Sequence, residues 1–472
     1  MPNTAAAETL AAIPFAPTRP TLDAAIDALD ALGSAGGGAV DAQARRDAFA
    51  RYEELPVPGM RPGRGWKHDY AKLAFDDLTW ASGRREQTIS PLAALAVRGA
   101  ERAVARDDAS LEIVVDRPAL ETANAGGLVH LGAVYLDAPV DAPDSRVVVL
   151  PLADARASHG ELLAAVLHRI VDPRGDRFAA LAAAFQNCGA FVYVPDGVVL
   201  DAPIQLVFAN SEARDEAIFP HIVVVLGRGA RATVIERHLG DGAPFVCGIV
   251  EAQVGERAQL DYVTVQQLDE QARIAFTRSA RCERDGAIRW HLAELGATLA
   301  RTVLGAQLDA EGANADTSAL FFNTRLQHVD LQTSTIHAVG NTTSDTVVRS
   351  AATDRGQGRY IGNIVIRPKA HGSDASLRDD ALLLSKRAHI DSIPALEIAA
   401  NDVKAFHGAT VGSLDEDALF YTSSRGIARP EALRMITLGF FEPVIGRFPS
   451  EALRDEVRSA LDGKIDDATE LD

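Results

Sequence analysis

The residues whose types and spacing could do chemistry here are a few histidines, three cysteines and some neighbouring carboxylates. His328, Asp330 and His337 lie close together in a strand-forming stretch, and imidazole with carboxylate suits several transition metals. The same residues would equally satisfy turn backbone groups or face a subunit partner, which is the commoner role for such side chains on a regular β scaffold. Cys188, Cys247 and Cys282 are tens of residues apart, so the sequence spells out neither a Cys-x-x-Cys metal site nor a disulfide framework. Each is flanked by apolar or small residues, as buried inert thiols are. Cys282 sits between Arg281 and Arg284, and neighbouring cations lower a thiol pKa, which makes it the most thiolate-prone of the three. A phosphate-cradling loop needs Gly-x-x-x-x-Gly-Lys-Ser/Thr, but Gly463-Lys464 is followed by Ile465, so ATP is not bound in that way. No His-Glu-x-x-His or Gly-x-Ser-x-Gly occurs, and no catalytic residue is assigned.

Composition narrows the partners. The 472 residues are 47% hydrophobic and 24% charged, the mix of an ordinary globular protein with room for two or three domains. With Lys+Arg 47 against Asp+Glu 65, the formal charge of -18 repels phosphate backbones and anionic lipid surfaces, arguing against nucleic acid or membrane as the main partner. Met1 to Pro20 lacks a basic start followed by an apolar run, and no uninterrupted apolar stretch reaches the ~18 residues of a span. The expected location is cytoplasmic.

The elements that must position any site fall into four segments. Residues 1–105 read as mainly helical: Leu22, Ile26, Leu29 and Leu32 fall at helical spacing, a charged helix follows around Asp41 to Glu54, and Ser90-Pro91 opens another. Residues 106–190 read as mixed α/β, with strands near Leu111 to Val115 and Val147 to Leu150. A capping box at Ser158 and Glu161 is expected to open a helix, and Phe178, Leu181 and Phe185 mark the next. Residues 191–409 change to short alternating runs of Val, Ile, Leu and Thr broken by Gly, Asp and Asn. Within them a weak repeat runs Gly227-x-x-Ala230-x-Ala232-x-Val234, Gly255-x-x-Ala258-x-Leu260-x-Tyr262, Gly286-x-Ile288-x-Trp290 and Ala313-x-Ala315-x-Thr317, at a spacing of roughly 28 residues. Each unit supplies a corner and a strand with alternate side chains inward, so stacking buries a continuous column, as in a right-handed parallel β-helix. An antiparallel sandwich or barrel is the competing architecture, disfavoured by the length of the region and the lack of Asn-Gly hairpin turns. Residues 410–472 return to helices, one stopping at Gly426, one opened by Pro430 and one by Pro449-Ser450. Exposed aromatics in this tail would suit docking to a partner. A β-helix acting on polysaccharide is the competing functional class, but it needs two carboxylates on one face, and Asp379 and Asp380, being adjacent in a strand, point to opposite faces.

Asn401-Asp402-Val403-Lys404-Ala405-Phe406-His407-Gly408-Ala409-Thr410-Val411-Gly412, continued by Leu414-Asp415-Glu416, Leu419-Phe420-Tyr421 and Ser424-Arg425-Gly426-Ile427, closely resembles the C-terminal motif of the SufB/SufD family of the SUF iron-sulfur cluster assembly machinery. Leu382-Leu383-Leu384-Ser385 with Ala388 to Ile398, and Phe178 to Leu206, are similar to further segments of that family, and Trp66-Lys67-His68-Asp69-Tyr70 is a looser match. The His-Gly-Ala-Thr form resembles the SufD branch. The resemblance implies a non-catalytic scaffold: a β-helix core with helical segments at both ends, pairing edge to edge with a SufB-type paralogue. It further implies C-terminal helices that bind a SufC-type ABC ATPase, in which the ATPase activity resides. A transient iron-sulfur cluster would form at the subunit interface near His407, with no permanent cofactor. A neutral imidazole can ligate iron, so His407 is also the one metal-contacting residue implied, with thiolates coming mainly from the partner. Phe420, Tyr421 and Arg425 are the residues expected to meet the ATPase. Some SufD sequences carry a Cys two residues before this His; Ala405 stands here, so no thiol role transfers. A homodimer of the same scaffold is the remaining alternative, since similar edges can self-pair.

Overall fold

The computed structural model describes residues 14–15, 42–55, 78–80, 147–186, 188–209, 214–240, 243–414 and 416–468. The helices expected at 22–32 and after Ser90-Pro91, the strand at 111–115 and the 66–70 motif lie outside the described residues. The backbone forms two compact units, the first holding Met1–Gly227, Arg237–Gln253 and Leu268–Ser279, the second Arg228–Glu236, Val254–Gln267 and Ala280–Asp472.

The first unit contains β1 (Pro14–Phe15), α1 (Ala42–Glu54), β2 (Leu78–Trp80), β3 (Val148–Pro151), α2 (Leu152–Ser158), α3 (Gly160–Val166), α4 (Arg177–Phe185), β4 (Cys188–Val194), β5 (Ile204–Ala209), β6 (Arg214–Ile218) and β7 (Pro220–Leu226). Helix α4 is almost wholly apolar, and every residue from Phe178 to Phe185 is buried. It starts where Asp176 accepts the Ala179 N–H at 2.9 Å, satisfying one orphan donor of the first turn. Phe49 of α1 meets Phe185 edge to face at 5.5 Å, and Arg45 donates to the Ala184 carbonyl at the far end of α4. β4 pairs antiparallel with β3 and parallel with β7. The capping box expected at Ser158 is not formed. Buried Leu152 and Ala155 extend the apolar face backward, so α2 begins earlier and ends at Ser158, whose Oγ bonds His159 Nδ1 at 2.8 Å.

Four long strands, β8 (Arg231–Gly240), β9 (Ala243–Val254), β10 (Gln259–Leu268) and β11 (Arg273–Cys282), are divided between the units. The second unit continues with β12 (Ala287–Glu294), β13 (Leu299–Leu308), β14 (Asn314–Asn323), β15 (His328–His337), β16 (Thr343–Ala352), β17 (Gln357–Ile366), β18 (Asp374–Leu383), β19 (His389–Ile398) and β20 (Lys404–Ser413), then α5 (Glu416–Ser424), α6 (Arg429–Ile445) and α7 (Glu451–Asp467). It is a parallel β-helix. Alternate strands build two sheets, one ordered β13-β15-β17-β19 and the other β20-β18-β16-β14-β12-β10, and every pairing within them is parallel and in register. The sequence repeat is the pairing register itself: Leu260, Ile288 and Ala315 are successive partners, as are Tyr262, Trp290 and Thr317. In-register parallel strands place paired side chains on one face, so these columns fill the interior.

The corners explain the recurring small and polar residues. Arg257, Asp285, Gly312 and Asn341 take left-handed φ values of 57, 53, 77 and 56° at equivalent points of successive coils. Glycine and Asn tolerate that geometry readily, and at Gly312 an added Cβ would also lie 1.9 Å from Asp285 Oδ1. N–H groups there donate to the next coil, Arg257 to the Arg284 carbonyl and Asp285 to the Glu311 carbonyl. Outward-facing Val263, Val265, Leu320, Phe322 and Val347 are covered by Phe441, Val444, Ile445, Phe448, Val457 and Leu461 of the C-terminal helices and their connection, which makes a second apolar layer outside the coil. Pro430 sits in the first turn of α6, and Ser450 caps α7 by accepting the Leu453 N–H, as the sequence leads one to expect.

Candidate functional site

Each coil of the second unit is covered by the next until the stack stops. β15 and β17 are mostly buried along their lengths, whereas β20 is mostly exposed and β19 is half-buried to exposed. β20 is the last strand of its sheet and β19 the last of the other, so both present one edge of backbone N–H and C=O groups unpaired within the described chain. His407 is on β20, in register with Leu377 of β18. Leu377 is buried, so the His407 imidazole belongs to the inward-facing column but stands at its uncovered end, exposed. Val411 and Ile398 share that situation, each in register with an interior residue yet 47% and 45% exposed. Phe406 points to the other face, 52% exposed, with the Arg378 guanidinium 5.7 Å from its ring centroid. The open backbone edge of β20 can add a strand from another chain, and an exposed imidazole on that strand can offer a nitrogen ligand at the junction.

Phe420 and Tyr421 are exposed on α5, at 76% and 58%, while Leu419 beside them is buried against Ala432 and Leu433 of α6. Leu419 thus anchors the helix and the two aromatics are left facing solvent. The exposed Arg425 guanidinium lies 5.1 Å from the Tyr421 ring centroid, which pairs these two on the surface beside Phe420 in the chain. These residues give α5 an exposed aromatic and cationic surface.

The other residues singled out by type are internal. Asp330 is fully buried and gripped by Arg359, whose Nε donates at 2.8 Å and whose Nη2 donates to the second oxygen. The His337 ring bonds Thr342 Oγ1 at 2.8 Å and Ser344 Oγ at 2.9 Å, and burial pushes its pKa down to about 4. His328 opens the ten-residue strand that His337 closes, ~30 Å away at ~3.3 Å per residue, so the three do not converge on a metal. Asp379 and Asp380 point to opposite faces: Asp380 pairs outside with Arg349 at 2.9 Å, and Asp379 is sealed inside, its acidity weakened by burial to about 7. Cys247 and Cys282 are buried free thiols. Burial lifts Cys282 to about 12, the reverse of the thiolate character its arginine neighbours suggested. Side-chain direction is the reason. Cys282 faces in, whereas Arg281 pairs with Asp309 at 3.1 Å and Arg284 reaches Glu311.

One constellation carries no local sequence signal because its members come from three separate segments of the first unit. His168 follows α3, His221 lies on β7 and Glu251 on β9, with one potential ligand atom from each within 4.8 Å of the others. Glu251 Oε1 accepts the Ile170 and Val171 N–H groups at 2.9 and 3.0 Å, and Oε2 accepts the His168 N–H at 2.7 Å and bonds His221 Nε2 at 2.9 Å. Burial alone would raise this carboxyl, but His221, His168 and the Val171 N–H together hold it below its ordinary value. Burial, reinforced by His221, lowers the His168 imidazole to about 3.

The second unit is thus a parallel β-helix that ends in an exposed imidazole and carries helices on its flank. The chain belongs to the SufBD family: residues 207–440 match the model described as SUF system FeS cluster assembly, SufBD core domain, and residues 134–206 match the SufBD protein N-terminal region. It is similar to iron-sulfur cluster assembly SufBD family proteins of Staphylococcus saprophyticus, 27% identical over 420 residues, and Staphylococcus aureus, 28% identical over 420 residues. In both alignments 86% of this chain and 85% of the relative are covered. Among the described residues no helix is long and apolar enough to cross a membrane.

Proposed function

We propose that this chain is a SufD-type, non-catalytic scaffold of the cytoplasmic SUF machinery. In this reading it pairs through β19 and β20 with a SufB-type paralogue and docks a SufC-type ABC ATPase on α5 and α6. The observation that carries it is His407 exposed at the uncovered end of the β-helix, with Val411 on the same strand and Ile398 on β19 also left uncovered there. An open parallel edge with apolar neighbours favours strand addition by a similarly built edge, because main-chain bonds supply affinity and the flanking side chains fix register. The nascent cluster is the cargo, held transiently at that junction with His407 as its nitrogen contact and the partner's thiolates as the remaining ligands. Phe420, Tyr421 and Arg425 form the surface offered to the ATPase, aromatic and arginine anchors being what interface centres favour.

Co-expression of the chain with SufB-type and SufC-type proteins, followed by size exclusion and mass measurement, tests the reading. A single species containing all three is expected. A chain that elutes without either partner overturns the proposal, and a stable self-paired dimer that excludes the paralogue replaces the heteromeric scaffold with a homodimeric one.

A further inference from the structure

We propose that His168, His221 and Glu251 form a binding site for a divalent transition-metal ion within the first unit, independent of the cluster-related role of His407. The inference stands whether or not the SufD assignment does, because it uses none of the residues at the end of the β-helix.

The geometry is that of a ligand set already braced from behind. α3 gives way to a left-handed residue, His168 with φ 57°, and this turn directs the N–H groups of His168, Ile170 and Val171 onto Glu251. Three backbone donors leave the carboxylate one orientation, the task that outer hydrogen bonds perform at known metal sites. The two imidazoles meet edge to face with centroids 4.9 Å apart; His221 turns its Nε2 to the carboxylate, and the buried Nδ1 of His168 has no hydrogen-bond partner. A neutral ring nitrogen without a hydrogen-bond partner has its lone pair or its proton still to satisfy, and so is available as a ligand atom. Two imidazoles and one carboxylate make the His2Glu set that zinc takes with a fourth position open, and ferrous iron accepts the same donor types. The 2.9 Å between His221 Nε2 and Glu251 Oε2 is a few tenths of an ångström short of the ~3.3 Å that two ligands at ~2.05 Å subtend tetrahedrally, an opening that one rotamer adjustment supplies.

The surroundings select the class of ion. Arg45 and Arg156 act electrostatically on His168, so a cation entering here meets two guanidinium groups and one compensating carboxylate. Binding by charge alone would be weak for any dication, and Mg2+ and Ca2+ further disfavour a donor set with two nitrogens, preferring oxygen-rich sites. Zn2+, Fe2+ or Co2+ gain from donation by the imidazole nitrogens, which offsets the repulsion that Mg2+ and Ca2+ would meet uncompensated.

The test is titration of the untagged, chelator-treated full-length chain with Co2+ as a spectroscopic probe, with Zn2+ competition and Mg2+ as control. Visible bands of low-symmetry Co2+ saturating at one equivalent, displaced by Zn2+ and untouched by Mg2+, are expected. His168→Ala, which keeps the backbone N–H to Glu251, and His221→Ala should each weaken binding at least about tenfold. Circular dichroism and the thermal midpoint check that the variants fold. If a variant fails to fold, the wild type still decides: its midpoint should rise on adding Zn2+, since a ligand that binds only the folded state stabilises it. Absence of a stoichiometric Co2+ complex together with an unchanged midpoint, or variants that bind as tightly as wild type, overturns the site and leaves the cluster as a buried hydrogen-bonded clamp.

Discussion

Strands β15 and β17 and strands β19 and β20 repeat one design within the same stack, yet they hold their polar residues in opposite ways. In the covered coils Asp330 and Arg359 neutralise each other out of water, and the Thr333 and Tyr360 hydroxyls bond at 2.7 Å. In the last coil the inward columns end in His407, Val411 and Ile398, which nothing in the described chain covers. Position in the stack, more than residue type, therefore separates structural polar groups from those free to act. A solenoid must stop somewhere, and the final coil either carries a polar cap or becomes a binding surface.

The contrast is broken most forcefully in the covered coils. Arg359→Ala leaves the Asp330 carboxylate buried and unpaired, and should cost about 3–5 kcal/mol, read from chemical denaturation. A loss under about 1 kcal/mol would mean that the middle coils are as tolerant as the end. Asp379 gives a pH-dependent form of the same test. Its folded-state pKa, about 7, lies above the ordinary carboxyl value, so the folded chain holds the proton more tightly than the unfolded one. Its contribution is fully present below the unfolded pKa near ~4 and is lost as pH rises through about 7. Asp379→Asn should accordingly remove this dependence, so that the variant gains up to about 4 kcal/mol on the wild type between pH 4 and pH 8, about three pK units at ~1.4 kcal/mol each. Equal wild-type and variant stability profiles across that range would remove the buried charge from the account. At the uncovered end, Val411→Asp should change stability by less than about 0.5 kcal/mol, as exposed substitutions do, yet abolish co-elution with the SufB-type paralogue. Retained co-elution would move the interface elsewhere.

The solenoid was legible because its coils repeat corner and strand together: Gly255 and Gly286, and the Leu260 and Ile288 column, stand out by residue spacing alone. The C-terminal helices were legible for the same local reason, through Pro430 and Ser450. Two readings failed where adjacency in sequence was taken for adjacency in space. Arg281 and Cys282 are neighbours in the chain, but strand alternation turns one outward and the other inward. Ser158 and Glu161 have capping-box spacing, but the buried face of α2 fixes the helix boundary elsewhere. His168, His221 and Glu251 could not be found from spacing at all, because only the fold brings residues so far apart in the chain together.

His407 is the smallest change on this scale and the most discriminating. Replacing an exposed imidazole on an edge strand removes no buried contact, and the backbone bonds of β20 to β18 do not involve the side chain. His407→Ala should therefore leave the thermal midpoint and assembly with both partners unchanged. If the imidazole supplies a nitrogen ligand to the nascent cluster, iron and sulfide bound per reconstituted complex should fall, by severalfold rather than completely, because the thiolate ligands remain. The two readouts separate the alternatives. Loss of assembly with normal cluster content in whatever complex survives would make His407 a contact of the interface, and unchanged assembly with unchanged iron and sulfide would remove it from the chemistry. Only a selective fall in cluster content means that the end of the stack holds the cargo as well as the partner.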